Sequence, residues 1–203
     1  MIRIGIALFA SVVGTSAYAG DEAWPQFRGP NGSGVAAATA KPPVEFGPEM
    51  NVKWKVPVPS GASSPVVVAD RLFLTAFDGG KLFTIAYALA DGKELWRMEA
   101  PAKAIEAYHK TEGSPAASSV TTDGKTVVAY FGSCGVFAYD LNGKELWKHE
   151  LPMAVTTADF GTGVSPVLAD GLVILQRDEM KDAKLLALSV VDGSRKWEKK
   201  RPD

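Results

Sequence analysis

Three times along the chain, short apolar runs alternate with polar turn signals in one order. A Ser-Pro pair opens each round and is followed by a first run (PVVVA, PAASSV, PVLA), then by a turn signal at Ala69-Asp70, Asp123-Gly124 or Asp170-Gly171. A second run (RLFLTAF, KTVVAYFG, GLVILQ), a looser loop and a third run (KLFTIAYAL, GVFAYDL, KLLALSV) come next. Runs of this length, rich in β-branched and aromatic residues and bounded by Gly, Asp and Asn, predict strands. No stretch keeps a helical period, so the fold class is all-β. The pairs Asp91-Gly92, Asn142-Gly143 and Asp192-Gly193 then predict type I′ hairpins with both central residues at positive φ, leading into a last strand that carries a Trp.

The rounds form a repeat. Trp96, Trp147 and Trp197 recur at steps of 51 and 50 residues, and Ser64-Pro65, Ser114-Pro115 and Ser165-Pro166 recur at 50 and 51. Self-similarity at this period marks a stack of supersecondary units, and four antiparallel strands per unit is the pattern of a β-propeller blade. Blades are expected at about 51–100, 101–151 and 152–203, after an extended Gly/Pro-rich segment at 20–50. In KELWK the strand alternation puts Glu145, Trp147 and His149 on one side. The recurring tryptophans and turn glycines are therefore expected to dock blades on one another: Trp54, Trp96, Trp147 and Trp197 with Gly92, Gly143 and Gly193. Trp54 lies in Asn51–Val56, which reads as one more Trp-bearing outer strand lacking its own blade.

The first residues change the compartment. Met1 to Arg3, the apolar run Ile4–Val13 and Ala17-Tyr18-Ala19 have the layout of a secretory leader at 1–19, too short to span a membrane. No Cys follows the cleavage point, so a periplasmic or secreted protein without a lipid anchor is expected. That leader carries Arg3, one of 22 basic side chains, and none of the 23 acidic ones, leaving a weakly acidic protein that no field draws to nucleic acid. Cys134 is the single cysteine and reads as a small buried hydrophobe.

The strings DGKELW and SSPVV resemble the pyrroloquinoline quinone (PQQ) repeat, over roughly residues 51–199. WPQFRGPNGSG, YFGSCGVFAYDLNGKELW and GVSPVLADGLVILQRDE resemble in particular the exported PQQ-like repeat proteins of bacteria. The resemblance implies an eight-bladed propeller, of which about three blades are seen here as an incomplete ring. It also implies one of two roles. The dehydrogenase branch brings PQQ, a calcium ion with carboxylate and amide ligands, a catalytic aspartate and adjacent cysteines; this chain has no adjacent cysteines, and Asp159, Asp178 and Glu179 are not assigned as ligands by their spacing. The assembly branch implies a propeller that binds a protein or other envelope component through one rim. The expected function is the second, a non-catalytic binding module, with a fragment of a PQQ-dependent dehydrogenase as the alternative.

Up-and-down strands put the first-to-second and third-to-fourth turns on one face, and the other loops and the blade links on the opposite face. Long loops on a rigid scaffold are where binding concentrates. His109, Asp159, Arg177 and Asp178 are the candidate residues there, with His109 and His149 expected as solvated loop histidines and Gln176–Glu179 as a surface ion-pair network. Three blades and a strand leave open faces, so the chain is expected either to continue into further repeats or to self-associate.

Overall fold

The computed structural model describes residues 23–201, and the expected leader at 1–19 lies outside them. Among the described residues, twelve strands form three four-stranded antiparallel sheets, each in simple up-and-down order. Blade one comprises β1 (Val66–Val68), β2 (Arg71–Asp78), β3 (Lys81–Ala88) and β4 (Glu94–Ala100). Blade two comprises β5 (Thr121–Thr122), β6 (Thr126–Phe131), β7 (Gly135–Asp140) and β8 (Glu145–Glu150). Blade three comprises β9 (Val167–Ala169), β10 (Leu172–Arg177), β11 (Lys184–Ser189) and β12 (Arg195–Lys200). The inner strands β1, β5 and β9 lie side by side, and the sheets fan outward from them as partial propeller blades not closed into a ring.

The middle blade shows why its sequence is nearly continuous in apolar residues. On β6, Val127, Ala129 and Phe131 pack with Phe73, Leu82, Phe137 and Tyr139 between blades one and two. The alternate residues Val128 and Tyr130 pack with Trp147, Val173, Leu175, Leu186 and Leu188 between blades two and three. Every β6 residue is buried because both sheet faces are covered. Burying each large side chain contributes about 1.5–3 kcal/mol, so these two layers are the main cohesion of the arc.

A repeated contact joins the blades. The Trp54, Trp96 and Trp147 indole N–H groups donate to the carbonyls of Leu89, Leu141 and Val190, at 2.9, 3.0 and 2.8 Å. Those carbonyls precede Gly92, Gly143 and Gly193, and each ring lies against its glycine so closely that a Cβ there would meet indole carbons at 2.6, 2.8 and 2.4 Å. Glycine is thus required twice at each turn, by the ring and by φ of 75°, 87° and 69°. The turns are not type I′, however: Asp91, Asn142 and Asp192 are absent from the positive-φ residues, and only the glycine is left-handed. In blade two Asp140 Oδ1 accepts the N–H groups of Asn142 and Lys144, which supports a longer loop, and β7–β8 register shifts by a bulge between Ala138 and Tyr139. True two-residue turns with both φ positive occur instead at Gly79-Gly80, between β2 and β3 where a looser loop was expected, and at Asp170-Gly171.

Two further expectations need correction. Asn51–Val56 is not a strand; it is an extended strap that brings Trp54 onto Gly92 and Val56 onto the Ala76–Ile85–Tyr87 cluster of blade one. Ser114-Pro115 does not open blade two, because Pro115–Val120 is not a strand and β5 starts only at Thr121. The residue equivalent to Ser64 and Ser165, two positions before its inner strand, is Ser119. These serines link the blades: Ser64 N–H donates to Ser119 Oγ at 2.8 Å, and Ser119 N–H donates to Ser165 Oγ at 3.0 Å. At the chain's beginning Trp24 exchanges two backbone hydrogen bonds with Val67, and Thr122 N–H donates to the Pro25 carbonyl, so the N-terminal segment runs along the inner strands of blades one and two.

Candidate functional site

The links between blades and the β2–β3-type loops share one face. On it, a buried carboxylate ties three loops together. Glu106, 2 % exposed, comes from the link between blades one and two; its Oε2 accepts the Thr162 hydroxyl at 2.6 Å, and its Oε1 accepts the Thr162 N–H at 3.4 Å. Thr162 belongs to the link between blades two and three, and Glu106's own N–H donates to Ser133 Oγ in the β6–β7 turn at 3.0 Å. Beneath the carboxylate lies Gly132, where a Cβ would sit 2.1 Å from Thr162 Oγ1 and 2.3 Å from Glu106 Oε2. Burial raises the Glu106 pKa above the usual carboxylate value, opposed by the Thr162 hydrogen bonds and by Arg177.

Arg177 closes the floor of a neighbouring cleft. It is 2 % exposed, donates from Nη2 to the Pro152 carbonyl at 2.8 Å, and pairs with Glu179 at 2.8 Å, while its Nε proton has no acceptor among the described residues. The expectation of a surface ion-pair network at 176–179 is therefore wrong for Arg177: a buried charge must be paired, and here one carboxylate and one carbonyl do so. Burial pushes the nearby Tyr130 hydroxyl up to about 12, against the pull of the Arg177 charge. Asp178 stays at the surface, where it accepts from Gln176 and pairs with Arg201.

The cleft, about 260 Å³, is lined by Tyr130, Thr156, Thr157, Phe160, Gln176, Arg177, Asp178 and Glu179, among others. The structure thus places Arg177 and Asp178 on one wall. His109 reaches the same region indirectly, its ring stacked on Phe160 with centroids 5.6 Å apart and planes at 26°. The His109 Nδ1 also lies 3.1 Å from the Thr111 hydroxyl. Asp159 is exposed in the single-turn 3₁₀ segment Thr157–Asp159 beside Phe160 and is not among the residues that line the cleft. His149 is not a solvated loop residue; it is half-buried, and its Nδ1 lies 3.1 Å from the Gly193 carbonyl. A carbonyl only accepts, so Nδ1 carries the proton and His149 supports the docked turn. A second cleft, about 560 Å³, lies between the N-terminal segment and the starts of β5 and β9, but Arg28 is its only ionisable lining residue.

Cys134 packs beside the core between blades one and two, and burial pushes its thiol up to about 12, reinforced by the charges of Glu106 and Glu150. A maleimide at neutral pH is expected to leave it unmodified in the folded protein and to label it on unfolding. Rapid labelling in native buffer would place the thiol in solvent instead.

The blade topology, the tryptophan-on-glycine docking and the loop face together define a PQQ-like repeat β-propeller. The chain belongs to the family described as outer membrane protein assembly factor BamB, whose sequence profile matches residues 50–162 and 86–203. The outer membrane protein assembly factor BamB of Burkholderia pseudomallei (strain K96243) is 26 % identical over 161 residues, covering 77 % of this chain and 36 % of that protein. The chain therefore spans about a third of the length of that curated relative. Among solved structures, the quinohemoprotein alcohol dehydrogenase ADHIIG from Pseudomonas putida HK5 superposes with a TM-score of 0.53 at 17 % identity, over 73 % of this chain and 22 % of the other. BamB from Moraxella catarrhalis superposes with a TM-score of 0.51 at 17 % identity, over 72 % and 39 %. These likenesses show the shared fold. Among the described residues no helix is long and apolar enough to cross a membrane.

A calcium-held quinone needs converging oxygen ligands. Among the described residues no three His, Cys, Asp or Glu side chains converge on one point, and the buried Glu106 carboxylate has both oxygens engaged by Thr162.

Proposed function

We propose that the chain is an exported, non-catalytic propeller module that binds a protein component of the cell envelope through its loop face. One observation carries this reading: an apolar strip stands exposed on loops that buried contacts hold fixed. Met153, Val155 and Met180 are each exposed, and the Met180 N–H donates to the Val155 carbonyl at 3.0 Å, so two loops present the strip together. Beneath it, Arg177 fixes Pro152 and Glu106 fixes Thr162. Exposed apolar patches on rigid loops mark interaction sites, because burying them on a partner needs little new ordering. The leader at 1–19 supports the periplasm or the cell exterior as the compartment, and the name shared by the assembly-factor relatives supports a protein partner.

A photo-crosslinking amino acid at position 155 is expected to capture one discrete envelope protein in cells, with position 146 on the outer strand β8 as control. Crosslinking that is equal at both positions, or absent from position 155, would overturn the reading.

A further inference from the structure

Beside the apolar strip, the 260 Å³ cleft has a chemistry that protein docking leaves unused. One wall is Phe160, 54 % exposed and braced on one side by the His109 ring. The lining also holds planar hydrogen-bonding groups: the Gln176 amide and Asp178 carboxylate, bonded to one another at the surface, and the buried Arg177 paired with Glu179. Thr157 adds an exposed residue with a hydroxyl at the rim.

Charge and size limit what fits. Asp178 and Glu179 in the lining are each paired with an arginine, Asp178 with Arg201 and Glu179 with Arg177, so among the described residues the cleft carries no unpaired cation to attract a phosphate or other anion. Drug-sized pockets run from about 300 to 1,000 Å³, so this cleft suits one smaller ring. An apolar guest would leave the polar lining without partners, and a polar group buried without a hydrogen bond opposes binding. A neutral ligand with an apolar ring face and hydroxyls around its edge matches both kinds of lining, the Phe160 ring and the polar groups. We infer that this cleft binds a single pyranose unit of a saccharide, its C–H face on Phe160 and its hydroxyls on Gln176, Asp178 and Arg177. The site is independent of the protein-binding reading, since neither Val155 nor Met180 lines the cleft.

The test is amide NMR on the ¹⁵N-labelled protein, titrated separately with N-acetylglucosamine, methyl β-glucoside and, as an anion probe, inorganic phosphate. The expected result is saturable shifts confined to 156–163 and 176–179 with at least one sugar, with a dissociation constant on the order of 1 mM, and none with phosphate. Phe160→Ala is expected to weaken sugar binding about tenfold by removing the ring face. Gln176→Ala, an exposed side chain, serves as the second variant should Phe160→Ala unfold the link, and it is expected to weaken binding in the same direction. No saturable shift with either sugar, the same amides shifting with phosphate, or unchanged affinity in Gln176→Ala would overturn the inference. Failure here leaves crosslinking at position 155 unaffected, so the two readings fail separately.

Discussion

Trp147→Ala is expected to destabilise the protein by about 3–5 kcal/mol, whereas Trp197→Ala costs less than about 1 kcal/mol. The two tryptophans hold the same place in successive blades, and their surroundings differ. Trp147 is 7 % exposed, packs with Val173, Leu175, Leu186 and Leu188, and donates to the Val190 carbonyl beside Gly193. Removing it leaves a void over Gly193 and a carbonyl without its donor. Trp197 is 42 % exposed and rests on no turn glycine among the described residues. Urea unfolding followed by far-UV circular dichroism compares the two without relying on indole fluorescence. Because each repeat contacts only its neighbours, Trp147→Ala is also expected to separate blade three into an earlier transition. Equal costs for the two substitutions would show that docking on the turn glycine is not what couples the blades.

Glu106→Ala is expected to cost about 1–3 kcal/mol, since it leaves the Thr162 hydroxyl and N–H buried without an acceptor and frees two links from one another. Glu106→Gln separates charge from hydrogen bonding. Burial raises the folded-state pKa of Glu106 above its unfolded value, so the folded state holds the proton more tightly. The associated stability is fully present below the unfolded value, about 4.3, and is lost as pH rises through the raised folded value. Wild type should therefore lose stability as pH rises through that folded value more than Glu106→Gln does, whose amide can still accept the Thr162 N–H. Parallel pH profiles for the two proteins would mean that Glu106 is ionised in both regimes at no cost. Gly132→Ala forces the same carboxylate aside, and its loss, about 1–3 kcal/mol, should be smaller in the background of Glu106→Ala.

The readings that failed share a physical cause. Ser114-Pro115 looked like a blade opening because it kept the period, but the link carrying Glu106 needs extra residues to reach Thr162, which moves the true equivalent to Ser119. The Asp-Gly and Asn-Gly pairs signalled hairpins, and hairpins are there; which turn type forms is decided by the bulge in the outer strand pair and by the indole above each glycine. Gln176–Glu179 read as surface because four polar residues in a row usually are. Arg177 is buried because the 150–163 link folds over it and offers the Pro152 carbonyl. Glu106 carried no signal at all: a lone Glu among Ala and Ile in a link has no periodicity to place it.

The repeated unit is written in the chain itself, since alternating apolar runs, turn residues and tryptophans at a fixed period are local properties that bury only as stacked four-stranded sheets. Tertiary structure alone decided the loop face. Its cleft, its buried Glu106 and Arg177 and its apolar strip come from segments far apart in the chain, and their burial depends on how the links cross above the blades rather than on any pattern within one of them.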